Sequence, residues 1–368
     1  MQFLTTNRLT GLLVAFSLSG ASVAWAEIIA AAPPLTQKDG KGGDKGDKKT
    51  SGKKDDSKGK KGGDKHASKE STESKPAEAS KGPATVANTG PSVVCQMANA
   101  SAGLPGVTEA SGVAVSRRTP GILWSHGDSY VGEPVLFAFD ARGAVKGKVR
   151  LAGVKVSDWE DIAVAPCGSA SCLFIGDIGD NQNARKSITI HRIPEPAPTD
   201  AVASRGEVFT ATFPDGSHDA EAFFVSASGE MFVVTKGETG PVALYRFGGS
   251  PKAGASTQLQ KVGVLQSGAV NRNQWVTGAS ASPDGKWVAM RTHGSVYFYD
   301  ANRLMKGDLK SPLRFDATAL KEPQGEGVAL GPDGALFLAG EGQRKGAPGT
   351  LASGVCKLPT SSADASSH

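Results

Sequence analysis

Residues 157–181 read SDWEDIAVAPCGSASCLFIGDIGDN, and the reading of this stretch decides the fold. It opens acidic at Asp158, Glu160 and Asp161 and continues through the apolar residues 162–165. It turns between Cys167 and Cys172, returns through Leu173, Phe174 and Ile175, and leaves on Asp177, Asp180 and Asn181. Two short apolar runs around a Gly/Ser turn predict a β-hairpin.

The same plan recurs four times. Ser111-Gly112-Val113-Ala114-Val115, Glu221-Ala222-Phe223-Phe224-Val225, Thr277-Gly278-Ala279-Ser280-Ala281 and Glu326-Gly327-Val328-Ala329-Leu330 align with Glu160-Asp161-Ile162-Ala163-Val164. Successive units start 49, 61, 56 and 49 residues apart. A second strand follows each first one, at 122–124, 173–175, 231–234, 287–290 and 336–339, across tight turns such as Ser282-Pro283-Asp284-Gly285 and Gly331-Pro332-Asp333-Gly334. Third and fourth short strands fit the remaining spacing, and no sustained helical periodicity competes with them. Four short strands per repeat of this length predict an all-β fold, a β-propeller. Five four-stranded blades are counted; a sixth would need a degenerate blade hidden in the longer repeats.

Outside these repeats the chain changes character. Residues 1–26 carry Arg8, an apolar run near residues 12–16 and the Ala24-Trp25-Ala26 triplet, which predicts a cleaved signal peptide. The apolar run is too short for a membrane span of roughly 20 residues, and no later stretch reaches that length. No Cys follows the cleavage site, so a lipoprotein anchor has no attachment point there. Residues 27–91 form a linker. From 38 to 81 it contains fourteen Lys against nine Asp plus Glu, a surplus of five, and no aromatic or branched aliphatic residue. Such a stretch cannot bury enough apolar surface to offset its ordering entropy and is expected to be disordered. Its surplus equals the net charge of the whole protein, +5. The remainder is therefore near neutral, which argues against a nucleic-acid domain, where basic residues gather on a folded face. The linker reads either as a solvated spacer or as weak adhesion to an anionic surface. The propeller is expected over residues 92–359, with a disordered tail over 360–368. Export to the periplasm or beyond, as a monomer, follows from the leader.

The run S-P-D-G-K-W-V-A-M at 282–290 resembles the repeats of TolB-like propellers. The run E-G-V-A-L-G-P-D-G-A-L-F-L-A-G at 326–340 resembles the blades of SMP-30/gluconolactonase-like propellers, and residues 158–181 resemble a signature of bacterial secreted propeller proteins. The resemblance spans roughly residues 92–359 and implies fold more than function, because propellers host many unrelated activities. For SMP-30-like enzymes it implies a divalent metal held by one Glu, two Asn and one Asp on the inner rim; the Asn pair has no counterpart in these repeats.

Four Cys in an exported chain predict two disulfides. Cys167 and Cys172 flank one turn. Cys95 and Cys356 stand at the two ends of the domain and would meet if a strand near residues 92–97 completed the last blade beside residues 354–358. No C-x-x-C or Cys/His cluster points to zinc.

The candidate chemistry lies where the first strands begin. The aligned column reads Ser111, Glu160, Glu221, Thr277 and Glu326, and the positions before it add Glu109, Asp158 and Asp219. Converging carboxylates must bind a cation, bond backbone amides or take up protons. Glu160, Glu221, Glu326, Glu109 and Asp177 are the candidate ligands of Ca²⁺, since hard oxygen donors suit that ion; bonding to a neighbouring blade is the competing role. His126 and His293, at the exits of second strands, are the candidate general bases. No EF-hand spacing, phosphate loop leading into a helix, or G-x-S-x-G elbow is present. Two functions stand: a module binding an envelope protein, glycan or small ligand at the channel mouth, and a calcium-dependent hydrolase of an ester, lactone or phosphoester.

Overall fold

A computed structural model describes residues 91–359, apart from 99, 129–132, 205, 250 and 345. The segments read above as signal peptide, linker and C-terminal tail lie outside the described residues. Short strands β1 (Cys95–Met97) and β2 (Ala102–Leu104) precede the first repeat: β3 (Ala110–Val115), β4 (Ile122–Gly127), β5 (Val135–Asp140) and β6 (Val145–Ala152). The second holds β7 (Trp159–Cys167), β8 (Ala170–Asp177), β9 (Ile188–Pro194), β10 (Ala201–Ser204) and β11 (Glu207–Thr212). Next come β12 (Ala220–Val225), β13 (Met231–Thr235), β14 (Val242–Phe247) and β15 (Ser256–Gln266), then β16 (Val276–Ala281), β17 (Trp287–Thr292), β18 (Ser295–Asp300) and β19 (Leu313–Asp316). The last repeat is β20 (Gly325–Leu330), β21 (Ala335–Gly340) and β22 (Gly349–Cys356). The fold is nearly all β, as expected for a propeller.

The first strand of each repeat is innermost. β3, β7, β12, β16 and β20 pack against one another in succession, and β20 packs back on β3. The hydrophobic core is divided accordingly into five clusters, each lying between consecutive repeats. Both faces of an inner strand are therefore buried. That is why these strands read as near-continuous apolar runs rather than as alternation: Phe223 packs toward one neighbour and Phe224 toward the other. No helix among the described residues is long and apolar enough to cross a membrane.

The ring closes as the cysteines predict. β1 pairs antiparallel with β22, with Cys95 opposite Cys356, and the two form a disulfide. Cys167 and Cys172 form the second. Their hairpin is tighter than the four-residue turn that the two cysteines flank in the sequence. β7 and β8 stay paired out to Cys167 and Ala170, leaving a two-residue turn whose Gly168 takes φ +63°, a conformation that favours glycine. One outer feature is not foreseeable from the repeat. β11 pairs in parallel with β15, joining two repeats into one eight-stranded sheet, and β10 pairs in parallel with β6. Both pairings cover outer edges that would otherwise be open to another chain.

Candidate functional site

Every inner strand carries a register shift at the same place. Pairing with the second strand skips Ser111, Glu160, Glu221 and Thr277, and in the last repeat Glu326 and Gly327. These are the residues of the aligned polar column. A bulge frees one residue from the ladder and re-aims its side chain: Glu160, Glu221 and Glu326 come within electrostatic reach of one another, while Thr277 Oγ1 donates to Gly325 O at 3.1 Å and Glu326 O at 3.0 Å on the next inner strand. All five residues are buried.

An ammonium group already sits among the carboxylates. Lys236 follows the end of β13, and its Nζ lies 2.5 Å from Glu221 Oε1, 3.2 Å from Glu238 Oε2 and 3.5 Å from Asp219 Oδ2. It also stands 4.9 Å from the centre of the Trp275 ring, a favourable place for a cation. Its backbone is pinned on both sides: Lys236 N donates to Asp219 O at 3.0 Å, and Val276 N donates to Lys236 O at 2.9 Å. Burial opposes the lysine charge, but Glu221, Asp219 and Glu238 outweigh it and hold the amine above its ordinary range.

The acids are displaced the other way. Burial lifts Glu221 to about 7 although Lys236 pulls it down, and Asp219 and Asp158 add to the lift. Glu160 is raised well above the usual range by burial, then by Glu221, Asp158, Glu326 and Asp219. Glu326 is raised by burial and by Glu221. Glu160 and Asp158 crowd over Gly179, where an added Cβ would collide with both carboxyls. That is the use of the glycine in the Gly176–Gly179 stretch.

One layer deeper lies Asp161. It is fully buried. Its Oδ1 accepts from its own following amide, Ile162 N, at 2.9 Å. Its Oδ2 accepts from Phe223 N at 3.0 Å and Ala279 N at 2.9 Å, on two other inner strands. Burial raises its pKa and the three amides pull it back. The equivalent positions are Gly112, Ala222, Gly278 and Gly327. A Cβ on Gly327 would stand 2.7 Å from Val113 N, and one on Gly278 2.8 Å from Glu326 O, so the inner strands touch here and the channel is plugged. Asp161 was missed as a functional residue, yet a signal was available: it is the one charged residue in a column of Gly and Ala.

The structure therefore brings Glu160, Glu221 and Glu326 together and adds Asp158, Asp219 and Lys236. Glu109 stays exposed at the rim, near enough to raise Glu341 together with burial and Asp128. Asp177 is turned to its own loop. It accepts from Ser157 N at 3.0 Å and Asp158 N at 3.2 Å and pairs with Arg185 at 2.8 Å, so it positions the start of β7. His126 is fully buried, packs edge-on against Trp159 at 5.5 Å, and donates from Nδ1 to Gly127 O at 2.8 Å. His293 donates from Nδ1 to Gly325 O at 3.0 Å and lines a cavity of about 220 Å³ with Arg272 and Glu322. Burial lowers each imidazole to about 4, so both are neutral at pH 7.

The donor set fits Ca²⁺ poorly. That ion wants six to eight oxygens, and here an ammonium occupies the cation position on Glu221. Among the described residues no group of three or more His, Cys, Asp or Glu side chains is placed to hold a metal ion. Arg291 supplies a further buried charge. It donates to Gly327 O and Ala339 O, each at 2.7 Å, and pairs with buried Glu322, tying the fourth repeat to the fifth.

No protein-family model matches the chain, and no curated protein matches it. Solved structures do align with it. An aldose sugar dehydrogenase from Streptomyces coelicolor in its PQQ-bound form is 13% identical with a TM-score of 0.44, over 73% of this chain and 100% of that one. A gluconolactonase from Xanthomonas campestris is 11% identical with a TM-score of 0.39, over 73% and 98%. The β-propeller domain of Cps50 (Swd1) from Myceliophteria thermophila is 12% identical with a TM-score of 0.34, over 66% and 83%. Likenesses this distant carry no activity to this chain; its neighbours in fold are β-propeller proteins.

Proposed function

We propose that this chain is an exported, monomeric, five-bladed propeller that binds a ligand through a primary ammonium group at the acidic mouth of its channel. The single observation behind this reading is the Lys236 ammonium, held by Glu221, Asp219 and Glu238 against Trp275. The mouth already accommodates one ammonium. Glu160 and Glu326, on two other inner strands, remain as carboxyls whose protonated form is favoured by burial and by the neighbouring acids. A second ammonium, from a small amine or a partner's lysine, would restore the balance that drives their protons off. The ring of five inner strands supports the blade count, and the two disulfides support export to an oxidising compartment. The alternative, a calcium-dependent hydrolase, would require Lys236 to leave Glu221.

The test is calorimetric titration of the full chain with pentane-1,5-diamine between pH 5.5 and 8. Binding should release protons and tighten at least tenfold across that range, and the Glu160→Gln/Glu326→Gln variant should lose this dependence. Affinity that is flat with pH, or equal in the variant, would overturn the reading.

A further inference from the structure

The opposite end of the same channel is built for another class of ligand. Beyond the Asp161 layer the inner strands carry Val115, Val164, Val225, Ala281 and Leu330, and these residues line a cavity of about 240 Å³. It is larger than the ~150 Å³ apolar cavity that takes up benzene. Its two wall hydroxyls are partly used: Ser116 Oγ donates to Glu195 Oε1 at 2.5 Å, and Ser280 Oγ accepts from Leu330 N at 3.1 Å. One ionisable residue lines the cavity, Arg117. It is exposed, and its guanidinium makes one long hydrogen bond to Pro283 O at 3.5 Å. By contrast, the adjacent Arg118 is tied down, donating from NH1 to Glu195 O at 2.9 Å.

We infer that this cavity binds an aliphatic monocarboxylate of medium chain length. The apolar walls would take the tail, and Arg117 at the rim would take the carboxylate. The apolar walls and the single guanidinium each select against other occupants. Among the described residues no acid lines the cavity to welcome an amine. A polyol would find few wall hydroxyls to pair with: Ser116 Oγ both donates to Glu195 Oε1 and accepts from Thr119 N, which leaves the Ser280 hydroxyl hydrogen. The plugged layer at Asp161 gives the cavity a floor, which suits a small molecule rather than a threaded peptide.

The probe is octanoate, titrated into the full-length protein by calorimetry, with octanol as the uncharged comparison. Octanoate should bind one-to-one with a Kd below about 1 mM. Arg117→Ala should weaken octanoate about tenfold, or ~1.4 kcal/mol, and leave octanol unchanged. Arg117 is exposed, so this variant should melt like the parent. Ala281→Phe, which fills the cavity, should abolish binding of both compounds. No octanoate binding in the millimolar range would overturn the inference, as would octanoate binding indifferent to Arg117→Ala. Because octanoate carries no ammonium for the acidic mouth to bind, failure here would leave the amine reading standing, and failure of the diamine titration would leave this one standing.

Discussion

The two ends of one channel are made from the same five strands, yet they obey different physics. Near the start of each strand stand Ser111, Glu160, Glu221, Thr277 and Glu326; four residues further on stand Val115, Val164, Val225, Ala281 and Leu330. Both ends are largely buried. The apolar end is stabilised by burial itself, at roughly 25 cal/mol per Å². The acidic end is opposed by burial and persists through partners: an ammonium on Glu221, and at Glu160 and Glu326 a shift toward the protonated form. One end should therefore respond to pH and to loss of a partner, and the other should respond only to loss of volume.

The strongest way to break this contrast is Lys236→Met. Removing the ammonium strands buried Glu221, and breaking such a pair typically costs about 3–5 kcal/mol. Urea unfolding at pH 8 should register a loss near the lower figure, because the site is partly solvated, and the loss should shrink at pH 5, where Glu221 can take a proton. An equal loss at both pH values would mean that the lysine acts through packing alone.

Asp161→Ala comes next. It leaves Phe223 N and Ala279 N without their acceptor, at about 1–3 kcal/mol for each stranded amide. Denaturation should show a loss of about 3 kcal/mol. A loss under 1 kcal/mol would deny that the axial layer joins the three strands.

The pH profile of melting sharpens the comparison further. Glu160 and Glu326 have folded pKa values above those of the unfolded chain. Their stabilisation is present below about pH 4.5 and is lost as pH rises through the folded values, because the unfolded chain then binds fewer protons. His126 runs oppositely. Lowered to about 4, it stabilises above pH 6.5 and loses that contribution as pH falls toward 4, at most about 3 kcal/mol. Melting temperature should peak near pH 5–6 and decline on both sides. Glu160→Gln/Glu326→Gln should flatten the alkaline limb; an unchanged limb would place the titration elsewhere.

The smallest effect belongs to the apolar end. Val225→Ala should cost about 1.5 kcal/mol by the same amount at pH 5 and pH 8. A pH-dependent cost would tie the two ends together and end the contrast.

Much of this was legible in the linear order of residues, and the physical reason is locality. Strand, turn and bulge position are set by residues a few places apart, so the repeat exposed the inner strands, the polar column and, through the two terminal Cys, the closing pair. What the chain order could not reveal are contacts between repeats. Asp161 meets amides 62 and 118 residues away. β11 finds β15 across a repeat boundary. Lys236, just past the end of its strand, turns into the carboxylates, while His126, two places earlier in the register of its own repeat, is sealed behind Trp159. Residue type alone does not separate those two fates. They follow from which side chains the neighbouring repeats leave room for, and closing the ring settles that for all the repeats at once.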